Sequence, residues 1–523
     1  MKHPLLWGLL LSLFTQPLLQ AQETNGIRVF DQEVPEESER EFQFLAYWFS
    51  QAVSANYYPT NDFLRGQVFG RLYGQNTTRS TDTATTYYVE QRLLPFFIYQ
   101  PKLFNGRAIL RASFEIDFTW GDASYGSGGN FGGAVAGDQV NLQTQNVELE
   151  LIPYKNWSIN IGLQRMYDNP NNPYRTLFGK LTNTGYRLMF WGTDATGISV
   201  RYNGDYERLK LGAWQFYENL IQADDDVNMF EVLYDRDISR SWSLGASLNY
   251  VRDRASGQGG PSILGQGLNS TLSNYNGSYR FPLGQNPYQA DVFWLGSFYT
   301  HNPDYIEDRW MATGFLNYNF GTVDTLTTGE NYGQISSIGG YTFNSKTGYR
   351  YGKTSGSRVE LDVLYTSGDA NGISDNRYSG VLTGNNWGSP VSVWISHGAY
   401  ILFPHGNVVN RFVSAVNDVS NLGYGLMGGT FNVYHDIIDN KLNIKAGTAA
   451  AFSNVNPQGG GNQLGIELNG RISWQPQVYM QLELHAAKLW LGDFYDSPAV
   501  NANASSRPDN PWTVFLTYKW LMF

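Results

Sequence analysis

Arg111, Glu115 and Asp117 sit at alternate positions of a stretch whose other row is Leu110, Ala112, Phe114, Ile116, Phe118 and Trp120. The same arrangement recurs along the chain. Arg201, Arg208, Lys210, Arg358, Lys445 and Arg471 supply cations to polar rows, and Glu148, Glu150, Glu360, Asp362, Glu467 and Glu483 supply anions. In an extended chain successive side chains point to opposite faces, so each charge faces away from an apolar row. Charges on such a face have two uses. They pair with opposite charges on a neighbouring strand, fixing register, or they meet a solute and select it.

Other chemistry has weaker support. Asp224-Asp225-Asp226 and the trio Asp369, Asn371 and Asp375 carry the hard oxygen ligands that calcium favours, but neither matches a twelve-residue calcium loop. Solvated loop acids are the plainer reading, so no metal is expected. His301, His397, His405, His435 and His485 form no catalytic motif, and the chain has no cysteine, which removes thiol chemistry. Gly128-Gly129 and Gly459-Gly460-Gly461 read as loop flexibility, and no phosphate-binding glycine turn opens a helix, so no cofactor is expected. With Lys+Arg 36 against Asp+Glu 46 the chain is acidic and has no basic stripe, so nucleic acid is not an expected partner.

The elements that position these charges are strands. Trp157–Leu163, Trp242–Tyr250, Val359–Tyr365 and Leu464–Trp474 all alternate apolar with polar residues. Each such stretch marks a segment of about 9–12 residues, the length a tilted strand needs to cross hydrocarbon. Tight connectors (Lys155-Asn156, Ser239-Arg240, Asp439-Asn440, Gln475-Pro476-Gln477) alternate with long Gly/Ser/Asn-rich ones: 121–137, 168–185, 254–269, 368–389, 453–462 and 495–510. Short periplasmic turns opposite long extracellular loops are the asymmetry of outer-membrane barrels. The reading is all-β: a transmembrane antiparallel β-barrel of about 18 strands, with 16 to 20 open, since bacterial single-chain barrels have an even number. Closure is required because an open edge in hydrocarbon leaves backbone groups unpaired, and a barrel of this size encloses a bore, open or plugged. Aromatics at 15% with 35 Tyr suit interfacial girdles.

Residues 1–21 read as a signal peptide, with Lys2, an apolar run from Leu5 to Phe14, and Leu19-Gln20-Ala21 as the cleavage site. Residues 22–60 read as a periplasmic segment able to dock a periplasmic partner. Within it Phe42, Leu45, Trp48, Phe49 and Val53 suit a short amphipathic helix, and a first strand at 43–50 competes with it. The barrel is placed at 61–523. The last strand, 512–523, ends in Phe523, a terminal aromatic suited to barrel-assembly machinery, and a bulge near Lys519 would reconcile its two rows. Bacterial outer-membrane lipid and lipopolysaccharide are the expected surroundings.

From about Gly66 to Phe523 the chain resembles the alginate-export family of outer-membrane porins, most clearly over Leu361–Asp369 and Leu482–Trp490. The resemblance implies a monomeric barrel passing a polyanionic saccharide through an Arg/Lys-lined constriction. The polar rows here mix both signs, which departs from that pattern. The resulting expectation is a passive channel for polar solutes, with anionic saccharides or oligosaccharides as the implied cargo. The alternatives are a barrel that anchors adhesive or assembly loops and, more remotely, an outer-membrane hydrolase.

Overall fold

The computed structural model describes residues 40–59, 69–73, 78–120, 141–165, 194–218, 220–221, 223–256, 264, 277–326, 331–383, 398–405, 412–501 and 503–522. Residues 1–39, where the signal peptide is expected, Phe523 and the residues between these ranges lie outside them.

Eighteen antiparallel strands close into a barrel. They are β1 (Phe42–Ala55), β2 (Thr86–Tyr99), β3 (Ala108–Thr119), β4 (Asn141–Leu151), β5 (Trp157–Arg165) and β6 (Asp194–Asn203). Next come β7 (Glu207–Tyr217), β8 (Val227–Asp237), β9 (Trp242–Asp253), β10 (Tyr288–His301), β11 (Trp310–Leu326) and β12 (Tyr332–Arg350). The wall is completed by β13 (Arg358–Thr366), β14 (Leu426–Ile438), β15 (Leu442–Phe452), β16 (Gln463–Gln477), β17 (Met480–Leu491) and β18 (Trp512–Met522). Each strand pairs with its neighbours in sequence, and β1 pairs with both β2 and β18, so no edge is left unpaired. All four tight connectors lie at one end, and the strand ends that flank the six long ones lie at the other.

The first strand decides between the two readings of this stretch in favour of the strand, and it moves the start of the wall. Residues 42–55 are neither a helix nor part of a periplasmic segment; they pair over their whole length with β2, so the barrel wall begins at Phe42. Closure explains this, because without β1 the edges of β2 and β18 would face hydrocarbon unpaired. The spacing of Phe42, Leu45, Trp48 and Phe49 mimics a helix because both faces of β1 carry large apolar groups. The expected bulge near Lys519 is also absent. β18 keeps unbroken register with β1 from Thr513 to Met522, and Lys519 points inward, where Glu483 accepts from it at 2.9 Å. A bulge does occur in β16. The register slips between Ala451↔Gly465 and Phe452↔Gln463, which turns Leu464 inward, while Ile466, Leu468, Ile472 and Trp474 stay outside.

The apolar rows face outward as expected. Leu110, Ile161, Leu244, Leu248, Leu361 and Leu468 are all exposed on the outer surface. Exposed Trp157, Trp242, Trp310, Trp474 and Trp520 mark the turn end, three of them packed on tyrosines of the adjacent strand (Tyr202, Tyr299 and Tyr349). They form the aromatic girdle of a membrane interface.

Candidate functional site

The inward rows place every predicted wall charge inside the barrel, and most of them lie against an opposite charge. Arg111 donates to Glu148 at 3.3 Å and to Glu150 at 2.5 Å. Arg208 forks onto Asp237 at 2.8 and 2.6 Å and also holds Asp235. Lys210 lies 2.6 Å from Glu231. Glu115 and Asp117 share Arg92, Glu360 is shared by Arg358 and Lys346, and Glu483 by Arg471 and Lys519. Arg201 donates to Asn160 at 2.6 Å, and Asp362 accepts from Asn344 at 2.8 Å. These are contacts between adjacent strands or within one strand, so the charges fix register and neutralise one another along the wall. The sequence rows missed Arg92, Lys346, Asp235, Asp237 and Lys519, although each sits at an alternate position beside a named partner strand.

Lys445 and Glu467 do something else: they hold a loop. The described parts of the connection between β13 and β14, residues 367–383, 398–405 and 412–425, fold into the barrel. The Glu467 carboxylate accepts three consecutive backbone N–H groups, from Tyr400 at 2.8 Å, Ile401 at 2.8 Å and Leu402 at 2.6 Å. Asn469 donates to the same carboxylate at 2.7 Å and to the Gly398 carbonyl at 2.8 Å. Lys445 Nζ donates to that carbonyl at 2.6 Å and lies 4.4 Å from the centre of the Tyr400 ring. Residues 401–402 accept from Ala415 and Val416, which returns the segment alongside itself. On the wall strands β10, β11 and β13, Trp294 donates to the Leu382 carbonyl at 2.8 Å, Asn319 accepts from Leu382 N–H at 3.1 Å, and Thr366 donates to Val419 at 2.7 Å. The segment therefore crosses the bore.

Packing follows the same lines. Val227, Met229, Val251, Val292 and Val323 of the wall are fully buried in one apolar cluster with Ile401, Leu402, Phe403, Val416 and Val419. Of the open and plugged bores left by the sequence, this segment favours the plugged one: beside it the inward row is apolar and dry. Tyr400 and His405 pack against His485 of β17 and Phe515 of β18, with ring centroids 4.8 to 5.6 Å apart around Tyr400. The gap left between this group and β1 and β2 is a cavity of about 30 Å³, lined by Gln51, Val53, Tyr88, Tyr400 and His405. That volume holds a water or two, not a solute.

The calcium candidates are engaged in turns. Asp369 accepts from Asn371 N–H at 2.9 Å and from Ser379 N–H at 2.7 Å, and Asp375 accepts from Arg377 N–H at 3.1 Å. Asp224 is clamped by Arg252 at 2.8 and 2.5 Å, which holds its carboxyl below the usual carboxylate value. Among the described residues no group of three or more acidic, histidine or cysteine side chains converges. His301, His435 and His485 face Asp308, Tyr351 and Glu483, and His397 lies outside the described residues.

No protein-family model matches the chain, and no curated protein does. The alginate-export resemblance thus finds no support from family comparison. Solved structures do align over nearly the whole chain. Acinetobacter baumannii OccAB1 aligns at 9% identity and TM-score 0.49, covering 94% of this chain and 99% of its own. A BenF-like porin from Pseudomonas fluorescens Pf-5 aligns at 10% and 0.47, covering 92% and 99%. Pseudomonas aeruginosa OccK11 (OpdR) aligns at 12% and 0.46, covering 94% and 99%. At such identities and scores the likeness carries no argument about cargo. The assignment of place rests on the closed wall, its apolar exterior and its girdle. The protein is a bacterial outer-membrane β-barrel.

Proposed function

We propose that the chain is a passive outer-membrane channel for small polar solutes, with its bore narrowed by residues 398–405 and 412–421. The carrying observation is the clasp of Glu467, Asn469 and Lys445 on the backbone of 398–402. A barrel that only anchors display loops has no use for drawing part of its longest connection inside and burying it against the wall. That weighs against the adhesion reading. The paired wall also bears on cargo. With Arg111, Arg208, Lys210, Arg358 and Arg471 each beside a carboxylate, the lining offers dipoles rather than a field of one sign. Solutes of either charge pass such a wall, and an anionic polymer gains little pull from it. Anionic saccharides therefore remain cargo only as short, small pieces.

Planar-bilayer recording of the purified barrel tests this. The expected result is a small, stable conductance with a reversal potential near zero in a potassium chloride gradient. No current under any condition would favour the anchor reading, and strong anion selectivity would favour the polyanion reading.

A further inference from the structure

Near the loop end the outward rows carry a second aromatic band. Phe230 of β8, Tyr250 of β9, Phe293 of β10 and Phe320 of β11 follow one another around the wall, with ring centres 6.2, 4.5 and 5.1 Å apart. Tyr318 lies beside Phe320 at 5.6 Å, and Tyr341 of β12 stacks on Tyr365 of β13 at 5.6 Å. Trp242 and Tyr250 mark the two ends of the outward row of β9, so this band lies at the outer-leaflet interface, where rings meet lipid headgroups. Two cations just above it are matched: Arg252 is clamped by Asp224, and Arg254 holds Asp291 at 2.8 Å.

Arg377 is different. Residues 377–378 of the β13–β14 connection run parallel to β12, with Arg377 opposite Ser337 and Tyr378 opposite Ile338. Ile338 and Tyr378 face inward and are buried, so Arg377 shares the outward face of Ser337 and Gly339, and it is exposed. Among the described residues its guanidinium has no hydrogen-bond or ion-pair partner. Asp375 accepts from the Arg377 backbone N–H at 3.1 Å, which ties that carboxylate into the turn. The hydroxyl of Tyr318, a side chain 46% exposed, has no described partner either. Gly339 lies between the two. A Cβ there would stand 3.4 Å from the Tyr318 hydroxyl and 4.0 Å from Arg377 Nη2, and would meet no other described atom within 4 Å beyond its chain neighbours. The missing side chain leaves an open notch with a donor on each side, at headgroup height.

We propose that Arg377 and Tyr318 hold, over Gly339, a phosphate of an outer-leaflet lipid. A guanidinium fork and a phenol O–H donate to different oxygens of one phosphate. Free phosphate offers the same oxygens without acyl chains. The notch opens toward lipid, with Phe320 paired across from Gly339 and Tyr341 two residues below it on β12, which favours the lipid. Since Arg377 belongs to the connection that narrows the bore, the lipid also fastens the outer part of that connection to the membrane surface.

The test uses the full-length barrel in detergent, stripped of lipid, with binding read by native mass spectrometry. Lipid A, the phosphorylated anchor of lipopolysaccharide, is titrated first, and then the same lipid after phosphatase treatment. The expected result is a single tightly held copy of the phosphorylated form, with the other weaker by about tenfold or more. Arg377→Met and Tyr318→Phe should each weaken affinity about tenfold, as loss of one hydrogen bond to a charged partner implies. Gly339→Val should weaken it too, by filling the notch with both donors in place. Lys488→Met removes an outward cation of β17 and should leave affinity unchanged. Equal retention of the two lipid forms, unchanged affinity in Arg377→Met, or an equal loss in Lys488→Met overturns the proposal. So does displacement of the lipid by millimolar inorganic phosphate, which would assign the notch to the free ion.

Discussion

Replacing Glu467 by Gln keeps the side chain's shape and removes its charge, which isolates the clasp on residues 400–402. The parent carboxylate accepts from three backbone N–H groups at 2.6–2.8 Å and from Asn469 at 2.7 Å. Hydrogen bonds to an ionised acceptor contribute about 1.5–3 kcal/mol each, roughly twice their neutral counterparts. If the amide oxygen stays under Ile401 and Leu402, those two bonds fall to neutral strength, a loss of about 1.5 kcal/mol together. The amide NH2 then meets the Tyr400 N–H donor to donor, which forfeits a further bond of about 2 kcal/mol. The sum, about 3.5 kcal/mol, shifts the balance between held and released segment by two to three orders of magnitude, at 1.4 kcal/mol per tenfold. Hydrogen exchange read by mass spectrometry should show the amides of 398–405 exchanging more than a hundredfold faster, with the wall strands unchanged. Single-channel recording should show larger and noisier currents than the parent. If those amides keep parental protection and the current is unaltered, Glu467 does not hold the segment and the narrowed-bore reading loses its anchor.

Arg208→Met strands Asp235 and Asp237 inside the wall. Breaking such a pair costs about 3–5 kcal/mol, and the lower end applies here because Asp237 keeps some solvent. The heat-modification midpoint on gels should fall, and adding Asp235→Asn with Asp237→Asn should recover most of the loss; no recovery would mean that packing, not charge, set the effect. Asp418 supplies a pH dependence, since burial lifts its carboxyl above the ordinary carboxylate value despite donors from Ser420, Thr383 and Ser278. A folded value above the unfolded one gives stability that is full below the unfolded value and lost as pH rises through the raised folded one. Exchange of 412–421, corrected for intrinsic rates, should therefore slow on acidification through that window, and Asp418→Asn should flatten the response.

The wall was legible because membrane barrels impose one rule everywhere. Alternation at Leu110–Trp120 and Trp242–Tyr250 is set by lipid on one face, and the turn residues Asn156 and Asn440 adopt the left-handed backbone (φ 70° and 57°) their positions require. β1 stayed ambiguous between helix and strand because a strand with both faces apolar loses the period of two. That same failure was a signal elsewhere. In β8 and β10 apolar residues fall on both rows, as in Met229-Phe230 and Val292-Phe293-Trp294-Leu295, which is how a strand buried on both sides reads. Lipid accounts for one side and cannot account for the other. The missing apolar partner is also written in the chain, as Ala399-Tyr400-Ile401-Leu402-Phe403 inside a connection otherwise rich in Gly, Ser and Asn. Neither feature decides the matter alone, since a five-residue apolar run also suits a strand and an apolar inward row also suits a wall. Together they require a segment inside the barrel. Pairing of charges on adjacent strands was weighed from sequence too, but register decides which cation meets which anion. Register follows from closure of all eighteen strands, a property of the whole wall and of no single stretch.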